Sequence, residues 1–300
     1  MIKDWFTYFL YSALWSFVRA LPERSAYSLF SSLAKFSYKR NGKRVQRLRR
    51  NYSQVRPDAS KAELEELVLS GLRSGMRYWC DTFRISDWDR EKILSSAKSI
   101  NDNFLFEPVA SKRGVIIAVP HAGNWDHAGA VFCAQGLKVI SVAEHLKPDR
   151  LFRRFLKHRE SIGMRILDLD AGVMGQLRSF LKQGELVALV ADRDLSKSGI
   201  DVNFFGARAR MPAGPAILAL ETGADLVTVF VSYVEDGIVI DCAPPIKVDK
   251  GADRKAEIAR VTQVMANRFE DAIKVDPTSW HMQQRIFIDS DFVERERRLD

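Results

Sequence analysis

Gly114-Val-Ile-Ile-Ala-Val-Pro-His-Ala-Gly-Asn-Trp-Asp126 decides the fold of this chain. Val115–Val119 is a continuous apolar run, the pattern of a strand buried on both faces. The strand ends at Pro120, and His121 and Asp126 follow, five positions apart. A histidine at a strand's end can act as a general base, and a nearby carboxylate can fix its tautomer. The small residues between them let a substrate approach the backbone. On this reading the chain is a transferase acting on a hydroxyl group.

Downstream of Gly114, strands and helices alternate. Leu137–Ala143, Arg165–Leu169 and Glu185–Ala191 read as strands. Helices are expected near Asp149–Ile162, Val173–Lys182 and Pro212–Thr222, the last with proline near its start. Leu226–Tyr233 and Ile238–Cys242 flank Glu235-Asp236-Gly237, a hairpin signal. Arg254–Ile273 is a last long helix. The expected fold is α/β: a central mixed, mostly parallel sheet flanked by helices. Ligands in such sheets sit beyond the carboxyl ends of the strands, where His121 and Asp192 both lie.

Upstream, residues 1–90 read as helical. Leu64, Val68, Leu72, Trp79 and Phe83 mark one apolar face, and Asn41-Gly42 breaks an earlier helix pair. Trp5–Val18 is rich in aromatics, suited to a lipid headgroup region but too short to span a bilayer comfortably. It lacks a small-residue cleavage site, so no signal peptide is expected. Arg24 to Pro57 carries ten basic residues and no acidic one. That region is expected on anionic lipid, the alternatives being a solvated face or a nucleic-acid patch. The chain is expected to be one domain over 1–300, with a helical membrane-associating part (1–90) and an α/β catalytic part (91–300).

Composition agrees. Net charge is +8 with a pI near 9.4, which suits anionic partners. Cys80, Cys133 and Cys242 are odd in number and widely spaced, which suggests neither a disulfide framework nor a zinc site.

The expected chemistry is direct acyl transfer. A sugar hydroxyl becomes an effective nucleophile when a neutral imidazole accepts its proton during attack on a thioester carbonyl. No serine or cysteine adjoins His121, so no covalent acyl-enzyme is expected. Backbone amides around Gly123–Asn124, or an arginine, can stabilise the oxyanion. The competing readings are a metal site at His121, Asp126 and His127, and Asn124-Trp125 as a simple helix cap.

His121-Ala-Gly-Asn-Trp-Asp126 resembles the signature of the bacterial lipid A acyltransferase superfamily, and the resemblance covers most of the chain. Arg49-Arg50-Asn51 followed by Pro57, Arg159-Glu-Ser-Ile-Gly163 and Met211-Pro-Ala-Gly-Pro215 are similar to further family blocks, with Tyr52 replacing a usual leucine. Asp192-Arg-Asp-Leu-Ser196, Gly199 and Asn203-Phe-Phe-Gly206 resemble the branch that acylates phosphatidylinositol mannosides. The resemblance implies acyl-CoA as donor (palmitoyl foremost), a mannose hydroxyl as acceptor, and no metal or redox cofactor. It places His121 as base, with Asp192 or Asp126 as its partner, and Asp192 stands where the branch usually has glutamate. Glu144, Arg159, Asn124 and Arg193 are implied in substrate binding. The implied partners are acyl-CoA, the mannoside glycolipid and an anionic membrane surface, without nucleic acid. The implied place is the cytoplasmic face of the plasma membrane, peripherally bound. Met174, Met211 and the phenylalanines are candidates for an acyl slot. A lipid A acyltransferase using acyl-carrier protein, and a non-catalytic lipid-binding protein, remain alternatives.

Overall fold

The computed structural model describes residues 2–143, 148–194 and 198–288. Helices α1 (Ile2–Ala20), α2 (Glu23–Arg40), α3 (Lys43–Val55) and α4 (Lys61–Arg84) come first. Asn41, at φ 47°, ends α2. Asparagine tolerates this left-handed conformation better than most residues, so the expected break lies there. A reciprocal capping box between Ser60 and Glu63 starts α4, satisfying two backbone donors that the helix itself cannot.

Next come α5 (Arg90–Ser95), β1 (Ala97–Ile100) and α6 (Asn103–Ala110). The alternating region follows: β2 (Val115–Val119), α7 (Trp125–Ala134), β3 (Val139–Ala143), α8 (Asp149–Ser161), β4 (Arg165–Asp168), α9 (Val173–Lys182) and β5 (Leu186–Val190). The chain continues through β6 (Ile200–Phe204), β7 (Ala207–Met211), α10 (Gly214–Thr222), β8 (Asp225–Val234), β9 (Gly237–Cys242) and α11 (Arg254–Val275).

Seven strands form one sheet in the order β1-β9-β8-β2-β5-β3-β4. Its neighbours are parallel except for the β8–β9 hairpin, so the sheet is mixed and mostly parallel, as expected. β2 lies between β8 and β5, and all five of its residues are buried. Alternation sends Ile116 and Ala118 into one core cluster and Val115, Ile117 and Val119 into the other. Both faces of β2 are therefore covered, which is why it reads as an unbroken apolar run. Each large side chain so buried contributes roughly 1.5–3 kcal/mol.

Several elements escape the sequence reading, among them α5, α6, β1 and the β6–β7 pair. β1 is four residues long and only half-buried, too short for a periodic signal. β6 and β7 form a separate antiparallel pair turning at Phe205-Gly206, a stretch read above only as a family block. Trp79 departs from its expected place. Val68 and Leu72 are buried, but Trp79 is 44% exposed, with its ring beside Phe83 and Phe155. The three cysteines are free.

Candidate active site

Parallel pairing builds the site. Val119 of β2 is in register with Val190 of β5, and the Ala191 N–H donates to the Val119 carbonyl at 2.8 Å. His121 and Asp192 each lie two residues beyond these partners, so they face each other across the ends of adjacent strands. The Asp192 carboxylate accepts from His121 Nδ1 at 2.6 Å, from the His121 backbone N–H at 2.9 Å and from Trp280 Nε1 at 2.9 Å. Asp192 is fully buried. Burial pushes its pKa up, but the His121 charge and the hydrogen bonds from His121 and Trp280 outweigh this and hold it below the ordinary carboxylate value. An ionised carboxylate only accepts, so Nδ1 of His121 carries the proton and Nε2 the lone pair. The His121 side chain remains 32% exposed, within reach of a substrate.

Asp126 has a different partner. Arg159 of α8 donates to it through Nε at 2.8 Å and Nη2 at 3.3 Å, and the Tyr78 hydroxyl donates at 3.0 Å. Asp126 is buried, and its charge is the main reason the Arg159 pKa is raised. Of the two carboxylates left open as the partner of His121, Asp126, in the first turn of α7, is drawn toward α8 and α4, and Asp192 is the one hydrogen-bonded to the imidazole. Two of the three guanidinium nitrogens of Arg159 are likewise committed to Asp126, which narrows the expected role of Arg159 in substrate binding.

Asn124 also has a structural place. It is fully buried, and its Oδ1 accepts from the His127 N–H at 2.9 Å to cap α7. Its side-chain carbonyl oxygen therefore caps the helix, while its Nδ2 is buried without a hydrogen-bond partner. The His121, Asp126 and His127 metal reading fails on geometry, since His127 is buried with Nε2 3.2 Å from Ser96 Oγ. Arg193 follows Asp192 and is half-buried. Glu144 lies outside the described residues.

Gly123 sits at φ 56°, and a Cβ there would lie 2.2 Å from the Val231 carbonyl oxygen. Only glycine fits this close approach of the turn to β8. Its N–H donates to the Ser279 carbonyl, and the His281 N–H donates to the His121 carbonyl. Residues 276–287 thus strap the turn from outside the sheet. Tyr52 Oη donates to the Trp280 carbonyl, and Asn51 Nδ2 to the carbonyls of Met282 and Gln284. Sequence reasoning missed Trp280, His281 and Tyr78. The aromatic pair directly after Asp276-Pro-Thr-Ser279 was the available signal.

An apolar slot runs between α7 and the sheet, below this turn. Trp125, Gly129 and Phe132 of α7 cover it, Val119, Ala188, Val190 and Val231 floor it, and Met164 closes one side. Its cavity volume is about 40 Å³, a narrow crevice well under the roughly 300–1,000 Å³ of small-ligand sites. The Trp125 ring stacks on Tyr78 at 4.3 Å and meets His121 edge-on at 5.6 Å, so the slot reaches the base. Met174 and Met211 pack in the core on the opposite face of the sheet, the commoner role for such residues and not that of slot lining.

The sequence profile described as bacterial lipid A biosynthesis acyltransferase matches residues 1–288. The chain belongs to this family. Among the acyltransferases it resembles is the phosphatidylinositol mannoside acyltransferase of Mycolicibacterium smegmatis, 36% identical over 292 residues, covering 96% of this chain and 94% of the relative. A phosphatidylinositol mannoside acyltransferase of Mycobacterium tuberculosis is 34% identical over 286 residues, covering 94% of this chain and 87% of the relative. An acyltransferase needs a base for the attacking hydroxyl and a dry place for the acyl chain. The His121–Asp192 pair and the apolar α7 crevice lie side by side.

Proposed function

We propose that this acyltransferase moves a fatty acyl group from acyl-CoA to a mannose hydroxyl of a phosphatidylinositol mannoside. The observation that carries this reading is the His121–Asp192 pair at the mouth of the apolar slot. Both relatives named above bear mannoside names, which favours this acceptor over lipid A. His121 Nε2 takes the hydroxyl proton as the oxygen attacks the thioester carbonyl carbon. The negative charge of Asp192 stabilises the imidazolium that forms. As the tetrahedral intermediate collapses, the carbon–sulfur bond breaks and the imidazolium returns its proton to the thiolate, giving an ester and free CoA. Met164, Phe132 and the valines shelter the acyl chain. Arg193, which is half-buried, and Glu144 are assigned to substrate binding on the resemblance alone.

The reaction takes place at a membrane surface in this account. Phe9, Leu10, Leu14 and Phe17 of α1 and Phe36 of α2 are exposed apolar side chains, while Trp15 is buried against Phe83, Phe155 and His158. Among the described residues no helix is long and apolar enough to cross a membrane. A helix anchored on one side and apolar on the other suits the interface plane. The basic run of α2 and α3 adds attraction to anionic lipid. Part of that run is structural, since Arg49 pairs with Glu65 and Arg56 donates to the Lys274 carbonyl. The placement on the cytoplasmic face of the plasma membrane follows from a CoA donor.

The test is incubation of the purified protein with radiolabelled palmitoyl-CoA and a mannosylated phosphoinositide in vesicles. An acylated glycolipid supports the reading. Label released only as free palmitate, or transferred equally to a lipid A precursor, counts against it.

A further inference from the structure

A second cavity lies between α2, α4 and the β8–β9 hairpin. It is lined by Tyr27, Phe30, Ser31, Arg73, Arg77 and Glu235, with a cavity volume of about 270 Å³. Helix α4 separates it from the acyl-transfer centre. Tyr78 turns toward Asp126 and Trp125, while Arg73 and Arg77, one helical turn apart, line the cavity.

The floor of the cavity is a fixed network. Arg77 donates to the carbonyls of Val234, Glu235 and Gly237, lies 4.3 Å over the Tyr233 ring, and faces Asp81 at 3.8 Å. Tyr27 and Tyr233 donate their hydroxyls to the same Asp81 at 2.7 and 3.1 Å. Those charges answer one another. Arg73 is different: it is exposed and has no hydrogen bond or ion pair among the described residues.

A guanidinium fork matches a phosphate group in shape and charge. The other walls ask for more than phosphate. Tyr27 and Phe30 present apolar ring surface, which suits the C–H face of a six-membered ring. Ser31 donates and accepts, and Glu235 accepts, hydrogen bonds of the kind hydroxyl groups make. A bare anion leaves the aromatic wall unused and is repelled by Glu235, whereas a phosphorylated polyol uses all of these groups. The cavity also borders the lipid-facing region. Lys35 stands one turn beyond Ser31 on α2, followed by Phe36, and both are exposed.

We propose that this cavity holds the phosphorylated polyol headgroup of a membrane lipid, and so docks the protein on membranes that display it. The site goes beyond acyl transfer and has its own readout.

Binding to phosphatidylcholine vesicles doped with phosphatidylinositol is compared with binding to vesicles doped to equal charge with phosphatidylserine, whose headgroup is not a polyol, without acyl donor. The wild type is expected to prefer the inositol lipid by on the order of tenfold. Soluble inositol 1-phosphate should compete and inorganic phosphate should compete weakly. R73A and R73E should lose the preference while keeping the wild-type melting temperature, because Arg73 is exposed. K255A, which removes an exposed cation on α11 outside the basic run, should keep it. Equal binding to both lipids, an undiminished preference in R73A, or inorganic phosphate competing as well as inositol 1-phosphate would overturn the proposal. Because no acyl transfer is read, failure here leaves the catalytic proposal standing, and the reverse also holds.

Discussion

Asp192 grips His121 at two points, accepting from its ring Nδ1 at 2.6 Å and from its backbone N–H at 2.9 Å. One carboxylate thus fixes both the tautomer of the base and the turn that carries it. Trp280 holds the same carboxylate from the far side. Asp192→Asn keeps the shape and removes the charge that stabilises the imidazolium. We expect kcat to fall roughly 10²–10⁴-fold with little change in melting temperature, and Asp192→Glu to recover part of the loss. Rate measurements on the two variants check this.

Asp126 separates structural from catalytic carboxylates. Arg159→Met leaves Asp126 buried without its counter-ion, and we expect a stability loss of about 3–5 kcal/mol. Asp126→Asn in the same background should recover part of it. The pH–rate profile of whatever folded Asp126→Asn protein remains should keep the wild-type shape. A profile shifted as in Asp192→Asn would mean that Asp126 acts on the base after all.

Buried histidines set the acid limit of the fold. Burial lowers His127 to about 4 and His281 to about 3, from an ordinary value of 6.5. Both are neutral when folded, and the unfolded chain takes up protons first. Their stabilising contribution is full above about pH 6.5 and is lost as pH falls toward the folded values. Asp192, held below its ordinary 3.8, adds a further loss only when pH drops below that value. Denaturation midpoints across this range should decline from about pH 6.5 downward, and His127→Gln should flatten the decline.

The slot should measure chain length. Ala188 lies on its floor, and Ala188→Leu fills it at an overpacking cost of about 1–3 kcal/mol. We expect kcat/KM for a palmitoyl donor to drop while a shorter donor is spared, since each methylene denied burial forfeits about 0.8 kcal/mol. Gly129→Ala acts more mildly, because its Cβ meets the flexible Met164 thioether. Parallel assays with long and short acyl-CoA read the difference.

The exposed face of α1 should govern membrane attachment. Leu14→Ser with Phe17→Ser removes exposed apolar surface, so vesicle co-sedimentation should weaken while the melting temperature holds. Trp15→Ala instead opens a cavity in the α1–α4–α8 contact and should cost about 3–5 kcal/mol. Unchanged sedimentation of the double variant would move the membrane contact elsewhere.

Much of the sheet is legible in the sequence because its strands are buried on both faces. Val115–Val119 and Leu186–Val190 read as apolar runs for that reason. β1 and the β6–β7 hairpin lie at an edge or outside the sheet, where burial leaves a weaker pattern. His121 was legible from its place after a strand. Its partner was not, because the choice depends on which strand lies beside β2, and sequence order does not give that. Asp126 is near in sequence but sits inside a helix that points it at Arg159. Trp280 reaches Asp192 across 88 residues, through a strap with no periodic signal of its own.

The central claim is that His121 Nε2 removes the proton from the attacking hydroxyl. The most direct test is the single-turnover rate of palmitoyl transfer from palmitoyl-CoA to the mannosylated phosphoinositide by wild type and by His121→Ala, under conditions where both bind donor. The account predicts a loss of at least about 10²-fold in the variant, with donor binding retained. Transfer by His121→Ala at the wild-type rate would contradict it.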